Sequence, residues 1–234
     1  MEVNVPNFLP KGRLHPINIF LRKSVIFFQK YGFEIVEGPE IDTEYYNFDA
    51  LNIPRYHPAR DMQDTFWLKD GRLLRTHTST MQVRSMQNRK PPVRIIVPGK
   101  CFRHEATDAS HETNFYQLEG FAIDSNLKIS HLTSILNKFM KELFGPEVST
   151  RFRPGYFAFV EPGIEMDIKL ENEWQEILGA GMIHPNVLKN MKISPKKYTG
   201  FAFGMGMDRL MMLYYGINDI RLSYSGDLRF LKQF

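Results

Sequence analysis

The stretch Gly200-Phe-Ala-Phe-Gly-Met-Gly-Met-Asp-Arg209 says most about how this chain folds. Apolar residues alternate with small ones as far as Gly206, and the helical stretch Met207–Tyr215 follows at once. This pattern predicts a glycine-rich strand that turns directly into a helix. Glycine lets a backbone approach a ligand closely, and a guanidinium at a helix start suits a phosphate. Alone, the stretch is weak evidence, because a glycine-rich strand more often reflects tight packing.

A second arginine-bearing segment lies earlier in the chain. Cys101-Phe-Arg-His-Glu105 is predicted to be a strand, and the polar loop 107–113 separates it from a strand that ends Phe115-Tyr-Gln-Leu-Glu-Gly120. Gln117 and Glu119 alternate, so they share one face of that strand. An arginine in a strand is usually a surface or ion-pair residue, so this segment gains weight only beside the first.

The remaining elements follow from periodicity and from helix and turn signals. Helices are predicted from Pro16 to Gly32, over 78–88 and from Ser130 to Leu143, and strands over 33–37, 64–68, 72–75, 94–98, 100–106, 114–124, 148–153, 156–160, 164–170 and 173–180. Residues 1–12 are predicted to be an extended arm and 38–61 a long ordered loop. Strands that mostly follow one another, with helices between groups, predict an α+β domain on an antiparallel sheet.

Composition bounds the class of protein. The 234 residues are 43% hydrophobic and 24% charged, which is typical of a globular chain, and the net charge of +4 permits a phosphate-rich ligand. One cysteine, Cys101, excludes an internal disulfide and suits a reducing compartment. The longest apolar run, Leu210–Tyr215, is too short for a membrane span, and no signal-peptide core precedes it. We therefore expect a soluble, cytoplasmic protein without a membrane partner.

Several familiar chemistries are missing from the sequence. It contains no GxxxxGK[ST] phosphate loop, no GxGxxG after a strand, no HExxH or CxxC zinc pattern and no GxSxG elbow. A nucleotide would therefore have to bind through another architecture.

Together and in this order, the two arginine-bearing segments resemble motifs 2 and 3 of class II aminoacyl-tRNA synthetases. Further strings resemble the α-subunit family of bacterial phenylalanyl-tRNA synthetases, over about Lys11 to Phe234. These strings are Gly38-Pro-Glu-Ile41, Asn47-Phe-Asp-Ala-Leu-Asn52, His57-Pro-Ala-Arg60, Asp64-Thr-Phe-Trp67, Leu74-Arg-Thr-His-Thr-Ser79, Met81-Gln-Val-Arg84, Gln117-Leu-Glu-Gly120, Arg151-Phe-Arg-Pro-Gly-Tyr-Phe-Ala-Phe159, Gly179-Ala-Gly-Met182, His184-Pro-Asn-Val187 and Gly200-Phe-Ala-Phe-Gly204.

The resemblance implies the class II catalytic fold over residues 13–234, a six- or seven-stranded, mainly antiparallel sheet flanked by helices. It also implies an ATP-dependent ligase. Such an enzyme activates phenylalanine with Mg-ATP to phenylalanyl-adenylate and transfers it to tRNA(Phe). Glu161, in Phe159-Val-Glu-Pro162, matches a family ligand of Mg²⁺, a cation that prefers oxygen ligands.

The family's ATP-binding residues carry over position by position. By resemblance Arg103 holds the α-phosphate and Arg209 the γ-phosphate of a bent ATP, which makes both catalytic. Phe115 stacks on adenine, Glu105 contacts the adenine amino group, and His111 lies near the phosphates with a catalytic role.

The amino-acid pocket carries over in the same way. Phe157 and Phe159 match a pair that packs edge-to-face on the substrate ring, and strand alternation puts both on one face. Ala202 lies in the pocket floor. The substrate ammonium is read by Gln117, Glu119, His77 and Ser79, and the site is bordered by Trp67, Gln82 and Gly204.

The family also implies partners. Its bacterial members form (αβ)2 assemblies with a β subunit, and motif 1, near 13–41, lies at a subunit interface. We therefore expect an unusually apolar exposed face on the first helix, and an oligomer with a β subunit or with a second copy. The family's N-terminal coiled-coil arm and an anticodon-binding domain are not found in this sequence.

Two other functions stay open. One is an inactive or regulatory paralogue that senses an amino acid, and the other is a different amide-forming ligase on the same fold. Arg103, Arg209, Gln117 and Glu119 are all present, which favours the enzyme. Phe157 and Phe159 beside Ala202 favour an aromatic substrate.

Overall fold

A computed structural model describes residues 12–56, 65–104 and 106–234. The predicted arm 1–12, apart from Gly12, lies outside the described residues. So do the strings at 57–64 and the predicted adenine contact Glu105.

Strands dominate the centre of the molecule. They are β1 (Glu34–Ile35), β2 (Ile41–Asp42), β3 (Leu73–Leu74), β4 (Val93–Phe102), β5 (Asn114–Asp124), β6 (Ser149–Phe157), β7 (Val160–Leu170), β8 (Glu173–Ile183) and β9 (Thr199–Gly206). Seven of them form one sheet in the order β1-β4-β5-β9-β8-β7-β6, while β2 and β3 pair separately. Only the β1–β4 pair of this described sheet is parallel. The predicted α+β class with a mainly antiparallel sheet is confirmed.

Helices cover both faces of the sheet. They are α1 (Pro16–Lys30), α2 (Glu44–Asn47), α3 (Thr80–Ser85), α4 (Ile129–Phe144), α5 (Pro185–Asn190), α6 (Met207–Tyr215), α7 (Arg221–Tyr224) and α8 (Leu228–Leu231). Helix α1 begins where its sequence predicts, because His15 accepts the Ile17 N–H and Pro16 suits the first turn. Within the described ranges, no helix has both the length and the apolar character needed to cross a bilayer.

Alternation along the strands gives the sheet two different faces. On one face α1, α4 and α6 bury a large aromatic core, in which the rings of Phe28 and Phe203 stack at 5.0 Å. On the other face α2, α3 and α5 cover a smaller core that includes Phe121 and Ala202. The candidate site opens on this second face.

The structure corrects the predicted strand through Arg103. The two strands predicted over 94–98 and 100–106 are a single strand, β4 (Val93–Phe102), whose pairing with β5 ends at Phe102 opposite Asn114. The chain then leaves the ladder, since Phe102 N–H donates to the Arg75 carbonyl and Arg103 N–H to the Thr113 carbonyl. Arg103 therefore lies just after β4. The direction of its side chain is not set by the alternation of side chains along the strand.

The segment 38–61 is also more regular than predicted where it is described. It contains β2, α2 and a 3-10 turn over Asp49–Leu51. The cause is pairing with a distant part of the chain: Ile41 pairs with Leu74, and Arg75 N–H donates to the Glu40 carbonyl. Single-sequence patterns carry no trace of such a partner.

The prediction that the exposed face of the first helix is unusually apolar is wrong. The exposed residues of α1 are mostly polar, and Ile26 is the apolar exception: Asn18, Arg22, Ile26, Gln29 and Lys30. Exposed apolar side chains lie instead before and after the helix in the sequence, at Leu14, Ile35 and Ile41.

Candidate active site

A cavity of about 210 Å³ opens on the second face of the sheet, and we name it the amino-acid cavity. It is lined by His77, Ser79, Arg103, Gln117, Glu119, Phe157, Phe159, Gly179 and Gly204. All but Gly179 were predicted as site residues, and the fold brings them together from five separate parts of the chain.

Gln117 and Glu119 reach the cavity because glycine stands opposite them. Both lie on one face of β5, and Glu119 pairs with Gly204 on β9. A Cβ at Gly204 would lie 2.7 Å from Gln117 Nε2 and 2.9 Å from Glu119 Oε2. The glycine therefore makes the space that the two polar side chains occupy.

Glu119 is the electrostatic centre of this cavity. It is 2% exposed, and its carboxylate accepts hydrogen bonds from Ser79 Oγ at 2.8 Å and Gln82 Nε2 at 2.6 Å. Burial raises the pKa of Glu119 to about 7, although both hydrogen bonds oppose the rise. A nearby cation would strongly stabilise the ionised form of such a buried carboxylate. The Ser79 hydroxyl, predicted near the start of α3, makes this contact instead of capping the helix.

His77 lies in the wall of the same cavity. It is 5% exposed, and neither ring nitrogen has a hydrogen-bond partner. Burial, helped by the Arg103 charge, lowers the pKa of His77 to about 3. The imidazole is therefore neutral at physiological pH and offers an acceptor nitrogen. Buried polar atoms are rarely left unpaired, so this one is suited to a ligand.

Two phenylalanines form the apolar half of the cavity. The ring centroids of Phe157 and Phe159 are 5.9 Å apart, with an angle of 34° between the planes. The predicted reason for their common face is wrong, because Phe157 ends β6 and Phe159 lies in the following turn. The turn brings both rings to the cavity. Gly179 lies under Phe157, where a Cβ would be 2.5 Å from the ring.

A second cavity, of about 110 Å³, adjoins the first, and we name it the phosphate cavity. It is lined by Arg103, Ser110, His111, Glu112, Phe115, Gly206, Asp208, Arg209 and Ile220. Arg103 lines both cavities. Its guanidinium lies 4.8 Å from the Phe115 ring centroid, and its Nε donates to the Thr76 carbonyl at 3.3 Å.

Arg209 faces this cavity from the first turn of α6 and is exposed. Its Nε donates to the Glu176 carbonyl at 3.1 Å and its Nη2 to Gln175 Oε1 at 3.2 Å. These acceptors are neutral, so a phosphate would be a stronger partner for the guanidinium. Arg103 and Arg209 thus share one cavity, as a common ATP site requires.

His111 lies on the exposed loop between β4 and β5. Its backbone N–H donates to Asp108 Oδ1 at 2.8 Å, and its ring lies 3.1 Å from the same carboxylate. Hydrogen bonds from Ser110 and His111 lower the pKa of Asp108. The loop is therefore ordered by its own polar contacts.

Four predicted residues line neither cavity. Ala202 is 1% exposed and pairs with Phe121, two residue pairs along the ladder from the Glu119–Gly204 pair, in the core against which Phe157 and Phe159 pack. Gln82 lies behind Glu119, to which it donates a hydrogen bond. Trp67 is 51% exposed and forms an isolated β-bridge with Leu73. Glu161 is exposed near the start of β7. In the ranges described, three or more His, Cys, Asp or Glu side chains nowhere gather into a metal cluster.

Sequence reasoning missed Asp208. It is 2% exposed and accepts the Tyr116 N–H and the Tyr224 O–H, each at 2.6 Å. A signal was present, since the Asp208 carboxylate stands between the apolar Met207 and Arg209. Gly179 was quoted in a motif but given no role.

Comparison with known proteins identifies the relatives of this chain. The sequence model of the family described as "tRNA synthetases class II core domain (F)" matches residues 1–234. The chain belongs to the class II tRNA synthetase core family. Several relatives carry the name phenylalanine–tRNA ligase alpha subunit, among them three from different organisms. The one from Hamiltonella defensa is 48% identical over 100% of this chain and 72% of its own length. That from Leptospira biflexa is 50% identical over 97% and 71%. That from Acaryochloris marina is 47% identical over 100% and 71%.

A solved class II structure has the same fold. Pyrrolysyl-tRNA synthetase from Desulfitobacterium hafniense superposes with a TM-score of 0.69 and 20% identity, over 88% of this chain and 72% of that one. The predicted resemblance to phenylalanyl-tRNA synthetase α subunits is confirmed, and with it the catalytic-subunit function and the enzyme class of aminoacyl-tRNA ligase. Nothing among the relatives supports an inactive or regulatory paralogue.

Proposed function

We propose that this chain forms phenylalanyl-adenylate from phenylalanine and ATP, as the first step of charging tRNA(Phe). The observation that carries the proposal is the meeting of two cavities at Arg103. One cavity has an aromatic end and a buried carboxylate, and the other contains two guanidinium groups. A reaction that joins an aromatic amino acid to a phosphate needs such an arrangement.

The amino-acid cavity suits the two ends of phenylalanine. Glu119 supplies the negative charge for the ammonium, with Gln117 and the neutral His77 as further acceptors. Phe157 and Phe159 receive the ring. The contacts support this orientation because Ser79, Gln82 and Gln117 donate to Glu119 on β5, whereas the Phe157 ring lies over Gly179 on β8. The substrate carboxylate then points to Arg103, the residue that both cavities share.

The reaction is an in-line displacement at the α-phosphorus. A carboxylate oxygen of phenylalanine forms a bond to this phosphorus, and the bond from phosphorus to the bridging oxygen of the β-phosphate breaks. Pyrophosphate leaves with the electron pair, and no net proton is transferred between the two substrates. Negative charge grows on the α-phosphate oxygens, where the Arg103 guanidinium stabilises it. Positioning therefore supplies most of the catalysis.

The rest of ATP fits the phosphate cavity. Arg209 binds the γ-phosphate, Phe115 stacks on adenine, and His111 contacts the phosphates from its loop. Magnesium would enter with ATP and would supply positive charge that neutralises the phosphates. By the family resemblance Glu161 is the side chain that would hold it, and its carboxylate is exposed near the start of β7. Mg²⁺ commonly uses one or two carboxylates beside phosphates and waters, so a single carboxylate suffices.

Transfer to tRNA is proposed to need a β subunit. The relatives are named as alpha subunits, and the exposed apolar side chains of Leu14, Ile35 and Ile41, all within the motif 1 segment 13–41, are available to a partner. An assembly of the (αβ)2 type fits this surface, and a homodimer is the other arrangement. A buried, unpaired Cys101 suits the reducing cytoplasm.

Pyrophosphate exchange across the twenty amino acids tests the proposal. The chain is assayed with Mg-ATP, alone and with a β subunit from a close relative. We expect exchange that depends on phenylalanine and on no other amino acid at comparable concentration. An absence of phenylalanine-dependent exchange, even with the β subunit present, would favour an inactive paralogue instead.

A further inference from the structure

The segment Asp219–Tyr224 contacts two walls of the phosphate cavity, although no role in the reaction has been given to it above. At its start, Ile220 N–H donates to the Ala109 carbonyl at 2.9 Å, on the loop that carries His111. At its end, Tyr224 O–H donates to Asp208 Oδ1 at 2.6 Å. Ile220 itself lines the cavity. The segment therefore ties the loop to the helix that begins beside Arg209.

Asp208 extends this tie to the central sheet. The ladder between β5 and β9 ends where Gln117 pairs with Gly206. The next N–H of β5, on Tyr116, donates to Asp208 Oδ2 at 2.6 Å instead of to a strand carbonyl. One carboxylate thus joins β5 to the first turn of α6.

Tyr116 and Asp208, which this hydrogen bond joins, are each next in sequence to a residue that lines the phosphate cavity. Phe115 precedes Tyr116 on β5, and Arg209 follows Asp208 on α6. The Asp208 carboxylate therefore links the strand that carries Phe115 to the helix that carries Arg209. Oδ1 is held by the Tyr224 hydroxyl.

We propose that Tyr224 is a positioning residue for ATP: through Asp208, its hydroxyl fixes the distance between Phe115 and Arg209. This inference rests on the proposed function, since it takes the second cavity as the ATP site. Tyr224 acts on the site through Asp208 and does not touch the reacting atoms. Burial raises the pKa of Asp208, and the Tyr224 hydrogen bond opposes that rise, so the hydroxyl also helps to keep the carboxylate ionised.

Helix α7 is itself anchored, which lets Tyr224 act as a fixed support. His15 Nδ1 accepts the Ile17 N–H, so its Nε2 carries the proton and donates to the Ser223 carbonyl at 2.8 Å. The residue next to Tyr224 is thereby joined to the start of α1. Ser223 is 3% exposed, so this contact is shielded from water.

The test compares Tyr224→Phe with Tyr214→Phe in the full chain, together with its β subunit if exchange requires one. Tyr214 is a matched control because it also loses one hydroxyl contact, to Lys23 Nζ at 2.8 Å, and it lines neither cavity. Calorimetry with Mg-ATP gives the Kd, and pyrophosphate exchange gives KM for ATP and for phenylalanine. Loss of a hydrogen bond to a charged acceptor leads us to expect about tenfold weaker ATP binding in Tyr224→Phe.

The split between substrates separates positioning from a merely structural role. KM for phenylalanine should stay within about twofold in Tyr224→Phe, and Tyr214→Phe should change neither value. Asp208→Asn, a second variant that retains Tyr224, should also weaken ATP binding about tenfold. In the double variant, the Kd for Mg-ATP should be less than about twofold higher than in Asp208→Asn alone, because both substitutions remove the same contact.

Three results would overturn the proposal: unchanged ATP affinity in Tyr224→Phe, equal increases in both KM values, or full additivity with Asp208→Asn. If Tyr224→Phe fails to fold, unchanged ATP affinity in Asp208→Asn would equally overturn it. A parent chain that binds ATP but shows no phenylalanine-dependent exchange would contradict the proposed function alone. The calorimetric ratio of Tyr224→Phe to parent would then still decide the role of Tyr224.

Discussion

The amino-acid cavity and the phosphate cavity share Arg103 but differ in construction. In the first, the polar wall is buried: Ser79 and Glu119 are each 2% exposed, and Gln82 is fully buried behind them. In the second, the principal cationic and loop groups, Arg209 and His111, are exposed. On the proposed assignment, we expect the amino-acid cavity to be formed already in the folded chain, and Arg209 and His111 to become more ordered when ATP binds.

Dielectric surroundings explain why the two constructions suit their ligands. A buried carboxylate interacts strongly with a single cation because little water screens it. An exposed guanidinium is screened, so several contacts have to add up, as they do on a triphosphate. Arg209 donates to the neutral Glu176 carbonyl and to Gln175, and it can exchange both for phosphate oxygens.

The largest effect is expected for Glu119→Gln. The amide retains the shape but removes the only carboxylate among the described residues that line the amino-acid cavity. Truncating one partner of a buried charge pair costs about 2–5 kcal/mol, so kcat/KM for phenylalanine should fall about 1000-fold. The Kd for Mg-ATP should stay within about threefold. Steady-state exchange and calorimetry measure the two values, with exposed Glu147→Gln as control. A parallel loss of ATP affinity would show that the cavities are not separate.

Arg209→Ala should affect the other cavity. Its charge-assisted phosphate contact is worth a few kcal/mol, so we expect about a 100-fold loss in kcat/KM for ATP. The Kd for phenylalanine should be unchanged, since Arg209 does not line the amino-acid cavity. Arg229→Ala is the control, because Arg229 is 92% exposed and pairs only with Asp227 among the described acids. ATP kinetics equal to those of the parent would remove Arg209 from the site.

The pH dependence of phenylalanine binding should follow Glu119. Burial raises the pKa of Glu119 from an ordinary 4.5 to about 7, and the ammonium binds the ionised carboxylate. Because less carboxylate is ionised below pH 7, the Kd for phenylalanine should rise about tenfold for each unit of pH below that point. His77 does not contribute there, since its pKa is about 3. Calorimetry at about pH 5.5, 6.5 and 7.5 checks the slope, and a flat profile would contradict a carboxylate at the ammonium.

The same raised pKa of Glu119 has a consequence for stability. Between about pH 4.5 and 7 the folded chain keeps a proton that the unfolded chain has released. Its unfolding free energy should therefore fall as pH rises through this window, relative to Glu119→Gln. Urea unfolding of both proteins at the two ends of the window measures the difference.

The smallest effect concerns Ala202→Gly. Removing the methyl should open space beside the ring pair and shift the kcat/KM ratio of para-chloro-phenylalanine to phenylalanine about tenfold towards the analogue. The mutant should fold, since glycine in a strand costs about 1 kcal/mol. Ala180→Gly is the matched control, because it removes a buried strand methyl on the opposite face. An unmoved ratio in pyrophosphate exchange would mean that Ala202 is not the pocket floor.

Much of the fold could be predicted because its signals are local. Helix α1 follows from Pro16 and its apolar spacing, and α4 from residues that step by three and four before Gly145. The two-stranded pair of β2 and β3 could not be predicted, because Ile41 gains its partner Leu74 only through the tertiary fold. The end of β4 before Arg103 is also set by distant contacts, to Arg75 and Thr113.

The site was predicted mainly through the family resemblance. Strand alternation did place Gln117 and Glu119 on one face, but no pattern in the sequence links them to His77 or Phe157. The common position of Phe157 and Phe159 depends on a turn, which alternation does not describe. Asp208 was missed because its role is visible only once Tyr116 and Tyr224 are seen to donate to it.

The most direct test of the central claim, that the two cavities meet at Arg103, is the single-turnover rate of adenylate formation in Arg103→Ala. The charge that this guanidinium neutralises grows in the transition state, so the rate at saturating substrates should fall about 100- to 1000-fold. The Kd values for Mg-ATP and phenylalanine, measured separately, should each change less than about fivefold. An unchanged rate of adenylate formation, or a loss accounted for entirely by weaker binding of one substrate, would contradict the claim.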